Sequence, residues 1–134
     1  MFAALKSELR VEDLLKGIAV QMANDACIIL AEGMDGSEET FAGRMNARAK
    51  VLGLTASTFV NPTGLPDPGN RTTLRDMVTL ARHLQSTYPE FYRLFAQPEF
   101  EWNKILQRNR NPLIGRAAGV DGLASGFAEE SGYA

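Results

Sequence analysis

Six apolar residues in a row, Ala26 to Ala31, place the strongest constraint on what this 134-residue chain can fold into. Leu14, Leu15, Ile18, Ala19, Val20 and Met22 precede them, and the spacing from Val11 to Ala31 predicts two helical pieces, the second apolar on nearly every side. Such a helix is stable in water only when other elements surround it. The run is far short of the ~20 residues needed to cross a bilayer, so it reads as a core helix and not a membrane span. The break between the two pieces falls in Gln21-Met22-Ala23-Asn24-Asp25, where Asn24 or Asp25 can accept hydrogen bonds from the free amides that open a new helix.

The next segments supply elements to surround it. Gly33 and Gly36 mark a turn. Ser37 then caps a predicted helix whose first turn carries Glu38 and Glu39, and Phe41, Met45, Ala49 and Leu52 recur at helical spacing until Gly53. Pro62, Gly64, Pro66, Pro68 and Gly69 exclude a long regular element between Thr55 and Asn70, which leaves a structured loop. Thr73 and Asp76 have the spacing of a capping box, with Asp in the usual Glu position. Leu74, Met77, Val78, Ala81 and Leu84 form the stripe expected to face inward from the helix that follows. Pro89 suits the first position of a short helix reaching Phe95. Beyond Pro98, Phe100 to Leu106 alternates apolar and polar residues as a half-buried strand does, with Phe100, Trp102 and Ile105 as core or hairpin residues. Asn109, Asn111 and Pro112 turn the chain, and Gly119, Gly122 and Gly126 read as further turns or a glycine-bearing strand.

Composition narrows the function classes. Hydrophobic residues make up 45% of the chain and charged residues 22%, an ordinary globular balance. Fourteen Lys and Arg against 16 Asp and Glu give a net charge of -2, without the basic footprint of a nucleic-acid binder. Charge is uneven: residues 1–40 hold three Lys and Arg and eight Asp and Glu, whereas residues 71–116 hold eight and four. Complementary packing or solvated faces account for that asymmetry. Cys27 is the only cysteine, which excludes an intrachain disulfide and a paired-cysteine zinc cluster. No apolar stretch near Met1 is long enough for a signal peptide, so the chain as written is expected to carry no export address.

Read in order, Val11-Glu12-Asp13-Leu14-Leu15-Lys16-Gly17-Ile18, Asn24-Asp25-Ala26-Cys27, Asn61-Pro62-Thr63-Gly64-Leu65, Asn109-Arg110-Asn111-Pro112-Leu113 and Val120-Asp121-Gly122-Leu123 closely resemble the serine D-alanyl-D-alanine carboxypeptidases, the low-molecular-weight penicillin-binding proteins. The resemblance runs from about the first residue to the last. It implies a periplasmic enzyme that trims the terminal D-alanine from peptidoglycan stem peptides and is acylated by β-lactams. It also implies a five-stranded sheet made from both chain ends and packed beside a helical region. The family's chemistry uses three signatures. Ser-x-x-Lys sets a nucleophilic serine one helical turn from a lysine that takes its proton. Ser-x-Asn supplies a shuttling hydroxyl and an amide that holds the substrate backbone. Lys-Thr-Gly lies on a strand edge, attracts the substrate carboxylate and helps build the oxyanion hole.

This sequence departs from all three. No serine has a lysine three positions on: Ser7 meets Arg10, Ser37 meets Thr40, Ser57 meets Val60, Ser86 meets Pro89, Ser125 meets Ala128 and Ser131 meets Ala134. In the family that signature lies upstream of the segment resembling Met1 to Val20, so the chain is expected to begin after the nucleophile's helix. The second signature falls on Met22-Ala23-Asn24, which keeps the amide and puts a thioether where serine is expected. The third falls on Ala124-Ser125-Gly126, which keeps a hydroxyl and loses the cation. Phe127 is followed by Ala128 where the family usually has Thr. Without a nucleophile no acyl-enzyme can form, and removing single members of such catalytic units costs orders of magnitude in analogous serine hydrolases. The chain by itself is expected to be noncatalytic.

Blander roles compete for the individual residues. Asn24 at a helix start is explained as a cap before it is explained as a substrate ligand. Ser125 without its lysine reads as part of a small-residue strand or turn, with carboxylate binding as its residual role. His83 lacks a second metal-type or triad-type partner in its helix and reads as a partly exposed surface histidine. Adjacent Glu38 and Glu39 point in different directions and belong to the helix dipole, not to an acid/base pair.

The expectation is therefore a mainly α (α+β) chain. It forms the helical region of the β-lactamase/D,D-peptidase (transpeptidase-like) fold with a small C-terminal β hairpin or strand pair. A single domain over 1–134 is expected, helix-rich over 11–97 and β-containing over 98–134. No metal or cofactor is expected. The family substrate is the peptidoglycan stem peptide, whose binding by this chain is doubtful, and apolar faces left uncovered would favour self-association. The other reading is a stand-alone or engineered helical scaffold or interaction module without catalysis, in which Met22 and Ala23 serve as packing replacements for costly buried polar groups. Localisation follows the family to the periplasm, or is cytoplasmic if the chain is expressed as written.

Overall fold

The computed structural model describes residues 1–4, 6–129 and 132–133; Leu5, Glu130, Ser131 and Ala134 lie outside them, Ser131 being one of the serines tested for the nucleophile signature. Among the described residues, five α-helices and two short antiparallel strand pairs follow in the order α1 (Val11–Gln21), α2 (Asn24–Asp35), α3 (Glu38–Val51), α4 (Leu74–Thr87), α5 (Pro89–Tyr92), a 3-10 turn (Arg93–Ala96), β1 (Glu99–Trp102), β2 (Ile105–Arg108), β3 (Phe127–Ala128) and β4 (Gly132–Tyr133). The chain divides into two compact units, Met1–Cys27 with Pro89–Ala134, and Ile28–Tyr88. No helix among the described residues is long and apolar enough to cross a membrane.

In the first unit α1 packs against the 3-10 turn and the β1–β2 hairpin. Leu14, Gly17, Ala19 and Val20 form its buried side, and Val20 has no exposed surface. From the hairpin, Phe100 enters this core at 8% exposure. The alternation expected from Phe100 to Leu106 is real only as far as Trp102. Asn103 and Lys104 then take positive φ values of 49° and 64° and reverse the chain, so Trp102 pairs with Ile105 and Phe100 with Gln107. Two central residues with positive φ are what a tight hairpin turn requires, because their twist matches that of the strands. Ile105 and Leu106, on the returning strand, are exposed.

The second unit follows the expected start and stop signals. Ser37 Oγ accepts the Thr40 N–H at 3.1 Å and opens α3, which ends just before Gly53 at φ 74°. Ala42 and Ala49 are buried on α3. Asn46 holds the loop that follows with two bonds to one residue: it accepts the Phe59 N–H at 2.8 Å and donates to the Phe59 carbonyl at 2.6 Å. An isolated bridge joins Thr58 to Arg71 across the proline-rich segment. Thr73 Oγ1 caps α4 by accepting the Asp76 N–H at 3.2 Å. The other half of the expected box is redirected. Asp76 is 5% exposed, and its carboxylate accepts the Ala56 N–H at 2.9 Å and the Ser57 hydroxyl at 2.7 Å.

That redirection accounts for a correction. The α4 stripe expected to face inward is largely solvent-facing: Leu74 is 84% exposed, Val78 57% and Met77 37%, while Ala81 and Leu84 are half-buried. The buried residue of α4 is Asp76, which at ~100° per residue lies on nearly the opposite side of the helix from Leu74. Periodicity identifies residues that share a face, but it does not say which face the remaining structure covers.

Candidate active-site remnant

The two segments that the sequence matches to family signatures, Met22–Asn24 and Ala124–Gly126, both belong to the first unit. Met22 ends α1 in the left-handed conformation, φ 55° and ψ 45°, a region that residues other than Gly, Asn and Asp enter only at a cost. The turn is closed by main-chain bonds from Met22 N–H to the Ile18 carbonyl at 3.0 Å and from Ala23 N–H to the Gly17 carbonyl at 3.1 Å. Ala23 is buried at 6% exposure.

Asn24 opens α2 and is exposed, and its side chain makes no hydrogen bond among the described residues. The capping bond expected of it is therefore not formed. The neighbouring Asp25 takes up the local donors, accepting the Ala26 N–H at 3.0 Å, the Ala3 N–H at 3.1 Å and the Met1 ammonium at 3.0 Å. Desolvation raises the Asp25 pKa, but the Ala3 N–H and the Met1 ammonium outweigh it and hold the carboxyl below its ordinary value.

Ser125 is half-buried between exposed Ala124 and exposed Gly126, and its hydroxyl donates to the Arg110 carbonyl at 3.4 Å. The two segments meet at Met22 and Gly126, where a Cβ built on Gly126 would stand 3.9 Å from Met22 Cε. The Met22 methyl thus lies against the Ala124–Gly126 segment. The cation expected ahead of Ser125 is not replaced on its own segment, since Ala124 ends in a methyl. Cys27 is the chain's only thiol. Burial and then the nearby Asp25 charge push its pKa up, which leaves little thiolate at neutral pH. Among the described residues no three His, Cys, Asp or Glu side chains gather as a metal site. His83 is half-buried in α4, beside Arg48 at 3.2 Å and Thr87 at 3.2 Å, with Tyr88 at its ring edge. It is a surface histidine with structural neighbours. Glu38 and Glu39 lie in the first turn of α3, as expected from the dipole.

A family model described as D-alanyl-D-alanine carboxypeptidase matches residues 1–134. The chain belongs to that family. Among its relatives, D-alanyl-D-alanine carboxypeptidase DacC of Escherichia coli (strain K12) is 44% identical over 134 residues, covering 99% of this chain and 34% of that protein. DacA of Haemophilus influenzae is 36% identical over 134 residues with the same coverages. In three dimensions the chain superimposes on penicillin binding protein 5 from Haemophilus influenzae with a TM-score of 0.94 at 36% identity, covering 99% of this chain and 39% of that one. A carboxypeptidase DacD from Francisella tularensis gives 0.95 at 26% identity, covering 99% and 45%. The chain thus spans about a third of the length of the curated relatives it matches. The expected fold class, a helix-rich piece of the D,D-peptidase fold with a small β hairpin, is the one observed.

Sequence reasoning missed what joins the two segments. Arg108 to Asn111 reads as a turn in the sequence, yet Arg110 N–H donates to the Val20 carbonyl at 2.9 Å and the Arg110 carbonyl receives Ser125. The available signal was Asn-x-Asn, since asparagine side chains readily satisfy backbone groups in irregular segments.

Proposed function

We propose that this chain is a portion of a peptidoglycan D-alanyl-D-alanine carboxypeptidase that keeps the frame of the substrate side and, by itself, performs no acyl transfer. The observation that carries the reading is Met22: a thioether packed near Gly126 stands where the family's second signature has a serine. A thioether neither donates nor relays a proton. The chain also lacks any Ser-x-x-Lys, and Ala124 lacks the charge that would attract a terminal carboxylate. Residual substrate contact rests with Asn24, whose amide is free of intramolecular bonds among the described residues, and with Ser125, whose oxygen keeps its acceptor capacity. The family setting is the periplasm, and the class of ligand is a stem peptide ending in D-alanine.

Incubation with a fluorescent penicillin followed by a denaturing gel tests the reading. No covalent band from a cooperatively folded chain is expected, and a band at the chain's mass overturns it.

A second reading, a noncatalytic interaction module, is favoured by one observation: the exposed Leu74, Met77 and Val78 on α4. Sedimentation tests it. A concentration-dependent dimer that the double variant Leu74→Gln/Val78→Gln dissociates supports it, and a monomer at all concentrations removes it.

A further inference from the structure

The hydrogen bonds around Arg108–Asn111 form a pattern that a simple turn does not need. On one side, the Gln21 amide donates to the Arg108 carbonyl at 3.0 Å, Arg110 Nε donates to Gln21 Oε1 at 3.3 Å, and Arg110 N–H donates to the Val20 carbonyl at 2.9 Å. Val20 and Gln21 are the last residues before Met22. On the other side, Asn111 Nδ2 donates to the Leu123 carbonyl at 3.2 Å and reaches the Gly122 carbonyl at 3.5 Å, while Ser125 Oγ donates to the Arg110 carbonyl at 3.4 Å. Asn109 anchors the bridge from beneath. Its Nδ2 donates to the Phe95 and Gln97 carbonyls at 2.9 and 2.8 Å, and its Oδ1 accepts the Asn111 N–H at 2.8 Å.

We infer that Arg108–Asn111 is a clamp that holds the Met22 turn and the Ala124–Gly126 segment in register, with Asn111 as the positioning residue that fixes where Ser125 sits. Three physical features support this. Asn111 is 8% exposed, so its bonds are shielded from competing water. Its two functional ends serve different elements: Oδ1 accepts the Leu113 N–H at 3.0 Å, whereas Nδ2 serves residues 122 and 123. The segment it holds has no helix or strand ladder of its own, since residues 121–126 belong to neither, and its other side-chain ties among the described residues are Tyr92 to Asp121 at 3.1 Å and Ser125 to the Arg110 carbonyl. Gly122 lets that segment approach closely, since a Cβ there would stand 3.2 Å from Phe95 Cβ.

The inference concerns how the two segments of the proposed site are held, and it stands or falls apart from whether the chain is catalytically silent. Its test is backbone NMR relaxation on the 134-residue chain and the variant Asn111→Asp, which keeps the acceptor for Leu113 and loses both donors. Order parameters at residues 123–126 are expected near the rigid value of ~0.85 in the parent and below about 0.6 in the variant, with Leu113 and α1 unchanged. Should Asn111→Asp fail to fold, Gln21→Ala serves instead. Gln21 makes no hydrogen bond to residues 122–126, so an amide shift change or loss of order at Ser125 in that variant reports transmission through the clamp. Unchanged order at 123–126 in the folded Asn111→Asp variant overturns the inference, as does a uniform loss that includes α1. If only Gln21→Ala can be measured, no response at Ser125 overturns it too.

Discussion

Met22 closes on Gly126 so that a side-chain carbon added to the glycine would stand 3.9 Å from the methionine methyl. In the proposed reading the two residues belong to the chain's counterparts of two family signatures, and they bring together a thioether and a bare backbone. On that reading the two segments still meet, while Met22 and Ala124 offer neither a hydroxyl nor a charge.

Returning the hydroxyl alone is therefore expected to achieve little. Met22→Ser restores one signature residue, but no Ser-x-x-Lys exists to be deprotonated. Penicillin labelling is expected to stay at background. Because Met22 is already 36% exposed, the unfolding free energy should fall by only about 1 kcal/mol, which urea denaturation followed by circular dichroism would read.

Asp76 should be far less tolerant. Its carboxylate satisfies the Ala56 N–H and the Ser57 hydroxyl while 5% exposed. Asp76→Ala would leave both donors without their buried acceptor, a loss of about 2–4 kcal/mol for hydrogen bonds to a charged group. Ser57→Ala removes the hydroxyl's bonds to Asp76 at 2.7 Å and to exposed Thr72 at 2.8 Å and should cost about 1–2 kcal/mol. Comparing the two midpoints in urea checks the ratio.

How the sequence and structure differ at α4 follows from the same carboxylate. Helix bounds were legible because caps are local chemistry: Ser37, Thr73 and Gly53 each act within one turn of their position. The buried side of α4 was not legible. It is set by Asp76 reaching residues about 20 positions away, and no pattern within residues 74–87 records that. The signature segments could be placed by resemblance, since their residue types are still recognisable. Their mutual support through Asn109 and Asn111 could not, because a turn-forming asparagine and a bridging asparagine look alike in a sequence.

The hairpin turn offers a stabilising change. Lys104 adopts φ 64°, where a Cβ is unfavourable, and Asn-Gly is the preferred pair for such a turn. Lys104→Gly should raise stability by about 0.5–1 kcal/mol, visible as a higher thermal midpoint. A lower midpoint would mean that the lysine side chain has a role the backbone argument omits.

Tyr92 provides a pH signature. Burial first, and then its hydrogen bond to Asp121 at 3.1 Å, push the phenol above its ordinary value. A pKa that is higher in the folded state means that folding favours the neutral phenol. Its contribution is complete below the unfolded value of ~10 and is lost as pH climbs through the folded one. Tyrosinate absorbance should show one tyrosine ionising late, and Tyr92→Phe should remove that step. Asp121→Asn should move it toward the ordinary value.

The most direct measurement of the central claim is intact-mass spectrometry of the purified chain after prolonged exposure to benzylpenicillin. A single unshifted mass is predicted, because the sequence holds no serine with a lysine three positions on to take its proton. A species heavier by one antibiotic molecule, with the adduct mapped to any serine or to Cys27, would contradict it.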